Sequence, residues 1–395
     1  MGAAGIAIFA LIYYPQPLLP ALAMDYGAGV ATVSLATTTT TAALALSILF
    51  LSGLADRFGR PALMRAGLGI GLVASFATIA CHQLWQFLAL RGVVGIALGA
   101  VVATAMAHAG AEAAPSRVGR AMGLYIGGTS AGGAIGRLLP GALVDSLSWR
   151  GATVAVTVMC ACAIAVFVAT LPPPRASSAT GRAAGSAATR TGAPGSYLRA
   201  HRRSWRLCFL GFTLMGAYVS TFSLLAFRLQ PAPFRLPMTV ISLLYLLGVA
   251  GTISSPLAGR LADRRGRPRV LLASMSIAGL GLALTTSHEV TVVIAGLALF
   301  AAAFFAAHGV ATGWVSATAG DASGRASASY LTAYYSGSAI LAPTTALVFQ
   351  HAGWTVAVVT LIALLAAAQL AMLGAECEGA KRSGPVRRIA LALGR

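Results

Sequence analysis

Apolar residues run along this chain in long blocks separated by short polar interruptions. A helix crosses a bilayer core with roughly 20 apolar residues, and by that ruler the pattern predicts twelve spans. They cover 3–24, 30–54, 62–81, 84–107, 119–144 and 151–171, then 205–228, 238–258, 269–287, 290–313, 324–349 and 353–374. The expected fold is an all-α polytopic membrane protein. Ala21-Leu22-Ala23 mimics a signal-peptide cleavage site, but no basic segment precedes the first span and Tyr13-Tyr14-Pro15-Gln16-Pro17 interrupts it, which weighs against a signal peptide.

The polar interruptions repeat. Leu54-Ala55-Asp56-Arg57-Phe58-Gly59-Arg60-Pro61 returns as Leu261-Ala262-Asp263-Arg264-Arg265-Gly266-Arg267-Pro268, with Asp263 lying 207 positions after Asp56. Gly119-Arg120-Ala121, Tyr125 and Trp149 return as Gly324-Arg325-Ala326, Tyr330 and Trp354, an offset of 205 for the tryptophans. Two matches at nearly one spacing make the chain a tandem of two similar halves. We expect a first six-helix half over 1–171, a linker over 172–203, a second six-helix half over 204–374 and a basic tail over 375–395. The linker opens with Pro172-Pro173-Pro174 and is rich in Ala, Ser, Gly, Thr and Arg. It has too few large apolar residues to pack a core.

Composition fixes the solvent. Charged residues make up 9% of the chain and hydrophobic ones 57%, whereas a soluble domain carries about 25% charged residues. The formal net charge of +19 raises nucleic acid as a partner, but the cations lie in short loops between apolar runs, so the bilayer is the expected partner instead. Arg57, Arg60, Arg65, Arg117, Arg120, Arg260, Arg264, Arg265, Arg267, Arg269 and Arg325 occupy one set of loops, together with the linker and tail clusters. Only Arg150, Arg228 and Arg235 occupy the other. That asymmetry predicts both termini in the cytoplasm. Five cysteines show no disulfide or metal-ligand spacing.

Twelve spans in two halves, with Leu-Ala-Asp-Arg-x-Gly-Arg after the second and the eighth, resemble the major facilitator superfamily. The likeness covers essentially the whole chain. Tyr13, Pro15, Leu18 or Leu19 and Pro20 in the first span, with Gly132-Gly133-Ala134-Ile135-Gly136-Arg137-Leu138-Leu139 in the fifth, are most similar to bacterial drug and sugar efflux permeases of the proton-antiporter type. The resemblance implies a gate built from the repeated loop. Asp56, Arg57, Gly59, Arg60, Glu112, Arg120, Asp263, Arg264, Gly266 and Arg267 would close the cytoplasmic side through carboxylate–guanidinium pairs, Gly59 and Gly266 permitting a tight turn where a side chain would obstruct close helix approach. Asp56→Asn is then expected to abolish transport while leaving insertion intact. Ser52 stands where the family usually has Gly.

Charges inside spans are costly and mark function or structure. Arg91 resembles the family's Arg-x-x-Gln-Gly arginine, implied to influence proton transfer, with Val94 at the Gln position; snorkelling to the headgroups is its other reading. Arg137 sits deeper and is expected to face the central cavity, paired with Asp25, Asp145 or an anionic substrate. Gly133 and Arg137 depart from the antiporter signature Gly-x3-Gly-Pro-x2-Gly-Gly. Gly128, Gly132 and Gly136, four apart, predict a smooth face for a neighbouring backbone. His108 and His308 are the remaining titratable candidates for a proton, because no Asp or Glu falls at mid-membrane depth.

The fold places a substrate between the halves near the midplane. Tyr13, Tyr14, Gln16, Thr38 within Thr37–Thr41, Tyr218 with Phe222, Tyr334 and Tyr335 are candidate contacts; packing or interfacial anchoring is the plainer role for any one of them. No nucleophile–base pair, metal cluster or ATP-binding Gly-x4-Gly-Lys loop is present in the sequence. We therefore expect no enzyme and no cofactor, with a proton gradient as energy source. The expected function is export of small drug- or sugar-like compounds by a monomer in a bacterial inner membrane. An importer of an organic anion or metabolite, and a membrane sensor, are the alternatives.

Overall fold

The structure, a computed structural model, describes residues 1–50, 57–112, 118–171, 204–318 and 323–382. The linker over 172–203, most of the tail, Asp56 and Ser52 lie outside these residues, as do the side chains of His108, Glu112 and Arg120. The described residues form helices and connecting turns, with no strand.

Among the described residues ten helical stretches are long and apolar enough to cross a membrane, and two of them, at 44 and 48 residues, exceed twice the roughly 20 that one crossing needs. Each of the two breaks once. Ser148 (φ 59°) interrupts Val118–Thr170 and Gly353 (φ 79°) interrupts Ser323–Arg382, so each stretch folds back as a pair and the bundle has twelve spans. The breaks stand 205 positions apart, immediately before Trp149 and Trp354. Trp149 donates its indole N–H to Asp25 (3.1 Å) and Trp354 to the Thr285 carbonyl (2.9 Å), so the repeat is structural as well as textual. We call this end of the bundle the tryptophan end.

At the opposite, arginine end, Gly59 (φ 81°, ψ 141°) and Gly266 (φ 88°, ψ 136°) adopt the same backbone conformation. Each stands before Arg-Pro, and proline suits the first turn of a helix because the N–H it lacks would have no partner there. A Cβ on either glycine would meet nothing within 4 Å among the described residues. The positive φ fits the tight turn expected at both glycines.

Small residues set how the helices meet within each half. A Cβ on Gly128, Gly132 or Gly136 would run into the first span at Gly2, Ile6 or Ala10, so three glycines in register let two backbones touch along three turns. In the second half Gly337, 205 positions after Gly132, meets the Phe212 backbone of the seventh span in the same way. Spans one and seven are consequently central, with 72% and 89% of their apolar stretches buried, against 44% and 39% for spans three and nine. Exposed Ile70, Val73 and Phe76 on span three suit contact with lipid.

Two joints between the halves lie toward the tryptophan end. The Ala31 N–H donates to Gln350 Oε1 (3.2 Å), and Gly141 packs against Ser242 and Met238. Among the described residues span eight packs on span five mainly through its first part, Met238–Leu244 and Tyr245–Ala250. Its second part, Gly251–Arg265, packs on spans nine and ten instead.

Candidate functional site

The site begins with a break in the first span. Its helix Gly2–Tyr13 stops because Pro15 and Pro17 lack the N–H groups that the carbonyls of Leu11 and Tyr13 need, and the chain continues as the tight turn Gln16–Leu18 and the helix Leu19–Tyr26. Arg91 fills the gap. Its guanidinium donates to the carbonyls of Leu11 (2.8 Å), Ile12 (2.6 Å) and Ala36 (3.1 Å) and lies 5.0 Å from the centre of the Tyr14 ring. Arg91 is fully buried, so it does not snorkel. The carbonyl end of a helix is partially negative, which gives the cation a counter-charge without any carboxylate. The Tyr14 hydroxyl is shared with Thr78 (3.2 Å), away from any open contact.

Arg137 is the second buried guanidinium, 5% exposed, and its surroundings differ. Nη1 donates to the Gly133 carbonyl one turn back (2.7 Å), and Nε donates to Gln16 Oε1. The Tyr13 ring lies below it with its centre 4.1 Å away, and the Tyr245 ring is 5.9 Å away. Nη2 has no hydrogen-bond partner among the described residues. Neither expected carboxylate reaches it: Asp25 is bonded to Arg150 (3.0 Å) and Trp149 at the tryptophan end, and exposed Asp145 is two turns away, roughly 12 Å along the same helix.

Gln16 also reaches across the molecule. Its Nε2 donates to Ser223 Oγ (2.9 Å), so Arg137, Gln16 and Ser223 form one chain of hydrogen bonds through spans five, one and seven, joining the two halves. The Tyr245 hydroxyl donates to the Phe222 carbonyl (3.2 Å) and holds its ring in place. Among the described residues the buried hydroxyls of Tyr13, Thr37 and Thr38 have no partner. Such groups, desolvated without a bond, favour any ligand able to supply one.

The second half answers with rings. Tyr218 stacks on Phe304 (4.2 Å between centres) and His308 on Tyr334 (4.4 Å), with Tyr335 edge-on to Tyr334 (5.3 Å). His308 Nδ1 shares a hydrogen bond with Tyr330 (3.0 Å). The structure thus gathers Tyr13, Gln16 and Arg137 at one joint with Ser223 and Tyr245, which sequence reasoning missed. Nothing in an apolar run distinguishes one serine or tyrosine from the others.

Of the gate residues, Asp263, Arg264 and Arg57 are exposed and Arg267 is half-buried. Arg57 lies 5.4 Å from the Phe58 ring centre. No ion pair joins Asp263 to a cation among the described residues. Its counterpart Asp56 lies outside them.

With this geometry the likeness to known proteins can be read. A model of the Major Facilitator Superfamily matches residues 1–253 and 232–390. The inner membrane transport protein YnfM of Escherichia coli is 36% identical over 381 residues, which are 93% of this chain and 88% of that protein. The multidrug resistance protein MdtG of Serratia proteamaculans is 38% identical over 107 residues, 27% of this chain and 26% of its own. The inward-facing, occupied crystal structure of a bacterial homologue of the human lysosomal transporter Spinster superposes with a TM-score of 0.77 over 95% of each chain at 14% identity, a likeness of fold. The duplicated bundle and the full-length match make this a multi-pass membrane transporter rather than an enzyme, and the chain belongs to the Major Facilitator Superfamily.

Proposed function

We infer that the protein exports small organic compounds of drug-like or sugar-like character across a bacterial cytoplasmic membrane, in exchange for protons, as a monomer with both termini in the cytoplasm. The observation that carries this reading is the Arg137–Gln16–Ser223 bridge: a buried polar joint at the meeting of two duplicated halves. A substrate held there is reached from either side as the halves rock. The arginine end faces the cytoplasm, because the cations crowd its loops. Joints between the halves near the tryptophan end and the divergence of span eight from span five at the other then describe a form closed to the outside. The partial likeness to a multidrug resistance protein supports export.

Import of an organic anion or metabolite is a second reading, favoured by one observation: no carboxylate pairs with Arg137 among the described residues. A compound-resistance screen in a host lacking its own exporters, repeated with a protonophore, tests export and its coupling together. Resistance that vanishes with the protonophore is expected; resistance indifferent to it removes the proton gradient from the reading. Uptake of labelled substrate into energised vesicles of opposite orientation fixes the direction.

A further inference from the structure

We propose that the Arg137 site takes an organic carboxylate bearing an aromatic ring, and that the carboxylate enters by displacing the Gln16 amide from the guanidinium. This narrows the substrate class of the transport reading above, on which it rests, and holds for either direction.

Arg91 and Arg137, both buried in the first half, differ in their partners. Arg91 has a backbone carbonyl on each of its three guanidinium nitrogens. Arg137 has a neutral amide on Nε, a backbone carbonyl on Nη1 and, among the described residues, nothing on Nη2. Guanidinium binds carboxylate best through two parallel N–H bonds. With Nη1 turned back onto Gly133, the edge left for such a fork is Nε with Nη2, and Gln16 occupies half of it. A carboxylate therefore replaces Gln16, and the exchange is favourable because an ionised acceptor bonds more strongly than an amide oxygen.

The neighbours fit the remainder of such a ligand. Tyr13 and Tyr245 present ring faces around the cation, and Tyr218 and Phe222, whose ring centres are 4.6 Å apart, extend the aromatic wall into the second half. The unpartnered Tyr13 hydroxyl is a donor for a carboxylate oxygen. Displaced from Arg137, Gln16 also loses the anchor that aims its Nε2 at Ser223, so occupancy loosens a tie between the halves.

The test uses the full-length protein in lipid nanodiscs and follows its thermal unfolding against benzoate, salicylate and cinnamate, each beside its neutral amide. At least one acid is expected to raise the Tm with an apparent affinity tenfold or more above that of its amide. Gln16→Ala is expected to bind that acid several-fold more tightly, because the competing amide is gone, and Arg137→Met to lose the shift. Amides that match their acids, three acids without effect, or weaker binding by Gln16→Ala would each overturn the proposal. Should Arg137→Met fail to fold, the acid–amide comparison and Gln16→Ala decide. Failure of the export reading has a separate signature: no protonophore-sensitive resistance, with the acid preference intact. Export of neutral or cationic compounds without acid preference sinks this proposal alone.

Discussion

The two halves share a scaffold and differ in what they turn inward. Both carry a helix break before a tryptophan, a positive-φ glycine before Arg-Pro, and a glycine that lets the fifth and eleventh spans touch the first and seventh. Yet among the described residues the interior of the first half holds two buried guanidiniums, while that of the second holds stacked rings and one histidine. Positions that shape the backbone cannot be exchanged cheaply, because a φ or a backbone contact admits few residues. Lining positions can, and there the halves have specialised: one supplies charge, the other apolar surface with a few hydroxyls.

The scaffold side of this comparison gives the largest expected effect. Leucine at Gly132 or Gly337 drives a side chain into the Ile6 or Phe212 backbone, and overpacking of that kind costs about 3 kcal/mol or more. Both variants should lose most folded protein on size-exclusion chromatography, whereas Gly127→Ala, with nothing within 4 Å of its Cβ, should elute as the parent does. A tolerated Gly132→Leu would mean that spans one and five do not touch as described.

Next comes a contrast inside the first half. Arg91→Met strands carbonyls of Leu11, Ile12 and Ala36, and buried groups left without bonds cost about 1–3 kcal/mol; its thermal unfolding should shift down clearly. Arg137→Met removes a buried cation with no carboxylate partner, so its stability should change by no more than about 1 kcal/mol, while transport is lost. Equal destabilisation of the two variants would erase the distinction between a structural and a ligand-binding arginine.

Trp149→Phe and Trp354→Phe test whether the repeat extends to energetics. Each removes one indole N–H donor, which Trp354 shares between the carbonyl and the hydroxyl of Thr285; a hydrogen bond is worth about 1 kcal/mol, and similar losses are expected from both. The smallest effect belongs to Asp25→Asn. Asp25 and Arg150 are 37% and 36% exposed, and exposed pairs contribute about 0–1 kcal/mol, shrinking further with salt. A salt-independent loss well above that would make the pair part of the closed state.

Much of the scaffold was legible because hydropathy and repeated turns are local signals. The twelve spans follow from block length, and the tryptophan offset of 205 marks the two points where a continuous helix folds back. That a serine, Ser148, takes the positive φ which Gly353 takes in the second half is not legible, since glycine is the ordinary signal for it. The depth of Arg137 was readable from its place in the span, but its partner was not. Charge counting points to Asp25 and Asp145, whereas the chain uses the amide of Gln16, delivered by a helix broken at two prolines. Arg91 stood open instead: its nearness to the span's beginning allows snorkelling beside the functional reading, and the carbonyls freed in another span explain its burial.

The proline break has a mechanical corollary. A helix interrupted by two prolines is a natural place to bend, yet here the fracture is pinned by a guanidinium rooted in the fourth span and braced on the second. Any swing of the first span must drag those two along, so the broken element serves as a rivet, and the freedom to move passes to the seam between the repeats.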